Sequence, residues 1–156
     1  MRYWLMKSEP GECSIDDALA APRATVPWTG VRNYQARNYL RDEIHTGDGV
    51  LFYHSSCAEP GIAGIAEVAS AARPDPTQFD PRSPYYDAKS DPANPRWLLV
   101  DIHALRRTPL LSIGALRGNA KLAELLVLRR GNRLSITPVS AVHWRLITQK
   151  ILAPTR

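Results

Sequence analysis

Cysteine is scarce in this 156-residue chain: Cys13 and Cys57 are the only two, and no Cys-x-x-Cys occurs. Two thiols so placed build neither a disulfide framework nor a four-ligand zinc site, and His54-x-x-Cys57 is at best half of one, so no metal is expected. A reducing cytoplasm is the expected compartment. Long apolar runs are missing as well; nothing approaches the roughly eighteen apolar residues of a membrane span. Met1 leads straight into Tyr-Trp-Leu-Met rather than a basic segment with an apolar stretch behind it, so neither membrane attachment nor export is expected. There is no internal repeat, no βαβ alternation and no glycine-rich phosphate loop. A doubly wound nucleotide-binding fold is therefore disfavoured, and no cofactor is implied.

Charge, by contrast, is plentiful and uneven. The net charge is +5, yet residues 1–75 carry 7 Lys and Arg against 10 Asp and Glu, while residues 76–156 carry 13 against 5. Arginine dominates the cationic half, and its planar fork of donors suits phosphate better than a flexible ammonium does. A polyanionic partner is one reading; an Arg-rich solubilising surface is the other. Arg96, Arg129 and Arg133 are the expected phosphate contacts.

At this length, with 44% hydrophobic residues, one well-filled core is expected, a single domain over 1–156. Tyr3 to Lys7 reads as a first strand stopped by Glu9-Pro10-Gly11. Ser14 and Asp17 form a capping pair for a short helix that Pro22 ends. Helical spacing from Asn33 places Tyr34, Ala36, Leu40 and Ile44 on one helix, closed by Gly47-Asp48-Gly49. Val50–Tyr53 and Ile62–Val68 read as strands. The proline-rich stretch 73–95 is expected to be an ordered loop, since Tyr85, Tyr86 and Trp97 argue against a chain that buries no surface. Trp97–Leu105 is the strongest strand, followed by short helices at 112–116 and 122–127, a last strand at 134–136 and a closing helix capped by Ser140. Short strands with helices inserted between them predict an α+β domain built on a small mixed barrel.

Three clusters could carry chemistry: Lys7-Ser8-Glu9-Pro10, Trp28 through Asn38, and Phe52-Tyr53-His54-Ser55. Each falls at a strand end or helix start, where side chains converge on clefts. The second mixes the amides of Asn33, Gln35 and Asn38 with Tyr34, Arg32 and Arg37, the blend of flat faces and directional groups that a nucleobase requires. Other readings coexist. Trp28 either fills the core or lines a pocket, and Asn33 can be a helix cap as well as a base contact. His54 and Ser55 are neighbours on a strand, so they point to opposite faces and are not expected to form a direct nucleophile and base pair.

The segments WLMKSEP, GVRNYQARN, FYHS with the following PGI, SPYYD and PRW resemble the signature runs of the EVE domain family, in the family's order and across nearly the whole chain. The resemblance implies a PUA-like mixed β-barrel and a pocket for a modified base such as methylated or hydroxymethylated cytosine, in DNA or RNA. Carried over by position, it implies a binding site made of Ser8, Glu9, Trp28, Asn33, Tyr34, Gln35, Arg37, Asn38, His54 and Ser55. Cys13 stands where an aromatic residue is expected, and Thr29 where an acidic one is, which bears on the base edge accepted. The leading expectation is a non-catalytic reader. The alternatives are an enzyme acting on nucleotides or nucleic acid, with His54 and Glu9 as acid and base, and a small-metabolite binder.

Overall fold

The computed structural model describes residues 1–153. A six-stranded mixed sheet runs in the order β2-β7-β4-β3-β1-β8. Its strands are β1 (Tyr3–Ser8), β2 (Thr25–Pro27), β3 (Gly49–His54), β4 (Gly61–Val68), β7 (Asp101–Ser112) and β8 (Ile136–Val139). Among the described residues only β1 and β3 pair in parallel. Two-residue strands β5 (Arg73–Pro74) and β6 (Leu98–Leu99) form a separate ladder. Helices α1 (Ile15–Ala20), α2 (Tyr34–Asp42), α3 (Ile113–Arg117) and α4 (Ala141–Arg145) are short, and α4 runs on into a π-helical turn over Leu146–Ile151. The α+β class follows directly. The ladder does not close into the expected barrel: it ends at edges β2 and β8, which carry Pro27 and Pro138. Proline suits an edge, where a missing N–H breaks no rung and discourages a further strand from adding.

Strand alternation divides the apolar residues between two cores. Trp4 and Met6 of β1 join Val50 and Phe52 of β3 on one face, with Ile15, Ala36 and Leu40 of α1 and α2 above them. Leu5, Leu51 and Tyr53 point the other way, toward Leu116, Leu122, Val127 and Ile147. Both faces are covered, so the central strands read as continuous apolar runs rather than alternating ones.

Three departures from the sequence reading have local causes. Residues 25–27, read as loop, pair with β7 as an edge strand. Strand β7 continues well past Leu105 because its pairing with β4 shifts register between Ile62 and Gly64, which places Pro109 at an irregularity where its missing N–H does no harm. The expected helix over 122–127 is two 3-10 turns, Ala120–Leu122 and Leu126–Leu128. Among the described residues no helix is long and apolar enough to cross a membrane.

Candidate nucleic-acid interface

The parallel neighbours β1 and β3 end side by side, and their chains then part. Ser55 N–H donates to the Ser8 carbonyl at 2.9 Å, fixing the two ends together. Beyond that link opens a cleft of about 450 Å³, within the range of roughly 300–1,000 Å³ usual for small-molecule sites. Lys7, Ser8, Ser55 and Ser56 come from the strand ends, Trp28 to Val31 from the chain after β2, Tyr85 from the proline-rich loop, and Arg133 and Ser135 from the approach to β8.

Trp28 holds both positions that the sequence left open. It is 6% exposed and packs edge-on against Phe52, 5.2 Å between ring centres, yet it lines the cleft. Ser8 Oγ donates to the Cys13 carbonyl at 2.6 Å and pins the loop of Glu9–Cys13 as one wall. Partial burial lowers the Lys7 pKa below that of an ordinary lysine. Burial first, and then the charge of Asp17, raise that of the Cys13 thiol. Cys13 is thus kept protonated and poorly nucleophilic. Among the described residues, no side-chain hydrogen bond or ion pair engages the Lys7 ammonium, the Glu9 carboxylate or the hydroxyls of Thr29, Ser55 and Ser56. These groups remain available to a ligand.

The opposite wall is held by a buried charge network. Asp75 is fully buried and accepts four hydrogen bonds: from Gly30 N–H at 2.9 Å, Arg32 Nη1 at 3.0 Å, Thr77 N–H at 2.8 Å and Thr77 Oγ1 at 2.6 Å. Burial alone would raise its pKa, but the bonds from Thr77, Gly30 and Arg32 outweigh that and hold it below the ordinary carboxylate value. Arg32 also donates through Nε and Nη2 to the Tyr85 carbonyl. Tyr85 is thereby seated over Gly30, and its hydroxyl donates to the Glu12 carboxylate across the cleft. Burial and that carboxylate push its pKa to about 12.

Gly30 is required on two counts: its φ is +87°, and an added Cβ would lie 2.6 Å from the Tyr85 ring. Gly30→Ala is expected to cost about 1–3 kcal/mol, the usual penalty of a non-glycine residue in such a conformation, and to separate Tyr85 from Glu12. Thermal melting reads the first effect. An upward shift in tyrosine hydroxyl exposure to solvent reads the second.

Of the residues expected from sequence, the structure brings Ser8, Glu9, Trp28, Ser55 and Arg133 together. Others lie elsewhere. His54 turns into the protein, where Nε2 accepts Ile15 N–H at 3.1 Å and the ring meets the edge of Phe52. Burial lowers its pKa, only partly offset by Asp16 and Asp17. Asn33 caps α2 through Gln35 N–H and Ala36 N–H. Tyr34, Gln35, Arg37 and Asn38 follow on α2, outside the cleft lining. Arg96 is a surface ion pair with Asp87 at 3.8 Å, and Arg129 is exposed. Lys7 and Thr29, members of two of the three clusters, line the cleft as well, and so do Glu12, Ser56, Tyr85 and Ser135, to which the sequence does not point as cleft residues. The proline-rich loop joins this site through Asp75 and Tyr85, by bonds to Gly30, Arg32 and Glu12 that no local sequence pattern shows.

The fold and this site define an α+β domain with a polar, aromatic-floored cleft where two parallel strands end. The EVE domain model matches residues 2–150, and the chain belongs to that family. Thymocyte nuclear protein 1 of Gallus gallus is 41% identical over 155 residues, covering 88% of this chain and 64% of the relative; for the Homo sapiens protein the identity is again 41%, with 88% and 68% covered. The chain thus spans about two thirds of these relatives. A crystal structure from Pseudomonas putida superposes with a TM-score of 0.88 at 48% identity, covering 93% of this chain and 96% of that one. Human THYN1 protein, solved in complex with 5-methylcytosine containing DNA, also gives 0.88, at 38% identity, with 94% and 95% covered.

Proposed function

We propose that this domain binds nucleic acid and holds one modified base, with methylated cytosine foremost, in the cleft between the ends of β1 and β3. One observation carries the reading: Trp28 lines a cleft whose rim holds Lys7, Glu9 and Ser55, none of which has a side-chain partner among the described residues. That sets an aromatic ring beside both a cationic donor and an anionic acceptor, which suits a cytosine edge bearing an amino donor and two acceptors. The DNA complex of human THYN1 protein makes DNA the first polymer to test. We read the sheet as PUA-like, and residues 1–156 as one domain. Binding without catalysis fits best, because the acid–base alternative needs His54, whose Nε2 is taken by a backbone N–H. The unpaired thiols of Cys13 and Cys57 suit a reducing compartment, which we read as the cytoplasm.

Removing a base from its stack costs a few kcal/mol, which stacking of roughly 1–3 kcal/mol per base, together with contacts to its edge, can offset. Phosphates would meet the segment 113–135, where Arg117, Lys121, Arg129, Arg130 and Arg133 face a single acidic residue, Glu124. None of the five forms an ion pair among the described residues. Short oligonucleotides with one methylated, hydroxymethylated or unmodified cytosine, titrated at fixed salt, test the proposal. A preference for a modified base supports it; equal affinity for all three, or no binding, contradicts it. Arg133→Glu is expected to weaken all oligonucleotides alike and to lower the salt slope by about 1.

A further inference from the structure

The helix-start residues left outside the cleft form a surface of their own, joined to it by a ladder of rings and guanidinium groups. Tyr85 lines the cleft, and the Arg32 guanidinium carbon lies 5.6 Å from its ring centre and 5.5 Å from that of Trp97. Trp97 is buried and its Nε1 donates to Asp87, so it is fixed. Against it rests Tyr34, with ring centres 4.9 Å apart and planes 32° from parallel. The Arg37 guanidinium carbon lies 5.0 Å from the Tyr34 ring centre.

This ladder ends at the surface. Tyr34 is 51% exposed, although a large aromatic residue more often gains by burial. Arg37 donates to the Asn38 side chain and the Arg96 carbonyl, but no carboxylate lies within ion-pair distance of it among the described residues. Its guanidinium thus lies beside an exposed ring, with Asp42 acting on it only from beyond ion-pair distance. Asn33 uses its side-chain oxygen to cap α2, which leaves its amide donors free, and Gln35 is exposed next to it.

An exposed ring, a guanidinium without an ion-pair partner among the described residues and amide donors are the parts of a nucleotide site, and the series Tyr85, Arg32, Trp97 and Tyr34 links it to the cleft. We propose that this surface is a second subsite, in which Tyr34 stacks the base that flanks the cleft-bound nucleotide and Arg37 meets its phosphate. The inference rests on the reading that the cleft takes a base from a strand.

Two probes separate the two ideas: 5-methyl-2′-deoxycytidine 5′-monophosphate, which fills only the cleft, and a single-stranded DNA pentanucleotide with 5-methylcytosine at its centre. Tyr34→Ala is expected to weaken the pentanucleotide about 5- to 150-fold, the equivalent of roughly 1–3 kcal/mol of base stacking, and to leave the mononucleotide unchanged. Tyr34→Phe should bind both as the parent does. Arg37→Gln should lower the pentanucleotide's salt slope by about 0.7, one single-strand phosphate contact. Parent-like pentanucleotide binding by Tyr34→Ala, or an unchanged slope in Arg37→Gln, would overturn the subsite. If the same pentanucleotide with an unmethylated central cytosine binds the parent equally well while Tyr34→Ala still weakens the strand, the subsite stands and the cleft's preference for a modified base falls. A parent that binds neither probe overturns both.

Discussion

Replacing Asp75 by alanine should cost about 3–5 kcal/mol of folding stability, the range for removing one partner of a buried ion pair. The loss exceeds that of a surface pair because Asp75 is fully buried and Arg32 largely so. Without the carboxylate, Arg32, the Gly30 N–H and both Thr77 donors lose their acceptor together. Asp75→Asn keeps the shape but turns an amide donor toward groups that are themselves donors, so it too should destabilise. The effect has a pH signature. The folded pKa of Asp75 is lowered, so its contribution is complete above the ordinary carboxylate pKa of about 4. Below that value the unfolded chain takes up the proton first, and stability falls until the pH passes the lowered folded value. Chemical denaturation at pH 7 and in the window below about pH 4 should show the parent losing this contribution and Asp75→Ala having none to lose. Equal stability of parent and variant at pH 7 would remove Asp75 as the fastener of the Tyr85 wall.

The second large effect belongs to Trp28, which is both core and cleft floor. Truncation to alanine should destabilise the fold by about 3–5 kcal/mol, as for other buried tryptophans. In the protein that remains folded, oligonucleotide affinity should drop by the equivalent of roughly 1–3 kcal/mol. Trp28→Phe keeps a ring on the floor and should recover much of both. Melting measured beside affinity, on the same samples, separates the two contributions. If Trp28→Ala melts as the parent does, the packing against Phe52 contributes little; if its folded fraction binds as the parent does, Trp28 does not stack the base.

Much of the frame was legible because its signals are local. The capping box of Ser14 and Asp17 forms as its spacing suggests, and the continuous apolar runs of β1 and β3 divide between the two cores. The closure of the sheet was not legible, since which strands end at an edge depends on long-range pairing; only Pro27 and Pro138 hinted at it. At the site, period-two alternation already set His54 opposite Ser55, and the structure turns only Ser55 into the cleft lining. The helix start was legible in composition but not in place. Asn33 to Asn38 have the composition of a base site, but composition carries no direction, and α2 places them beyond the wall that Arg32 and Asp75 build. That wall unites residues more than forty positions apart, which no local pattern reveals.

The placement of the base itself tests the account most directly. A crystal structure of the protein with a short DNA strand carrying one 5-methylcytosine should show that base turned into the cleft, its face on Trp28 and its edge within hydrogen-bond distance of Lys7, Glu9 or Ser55. Density for the base anywhere else on the molecule, with the cleft holding only solvent, would contradict it.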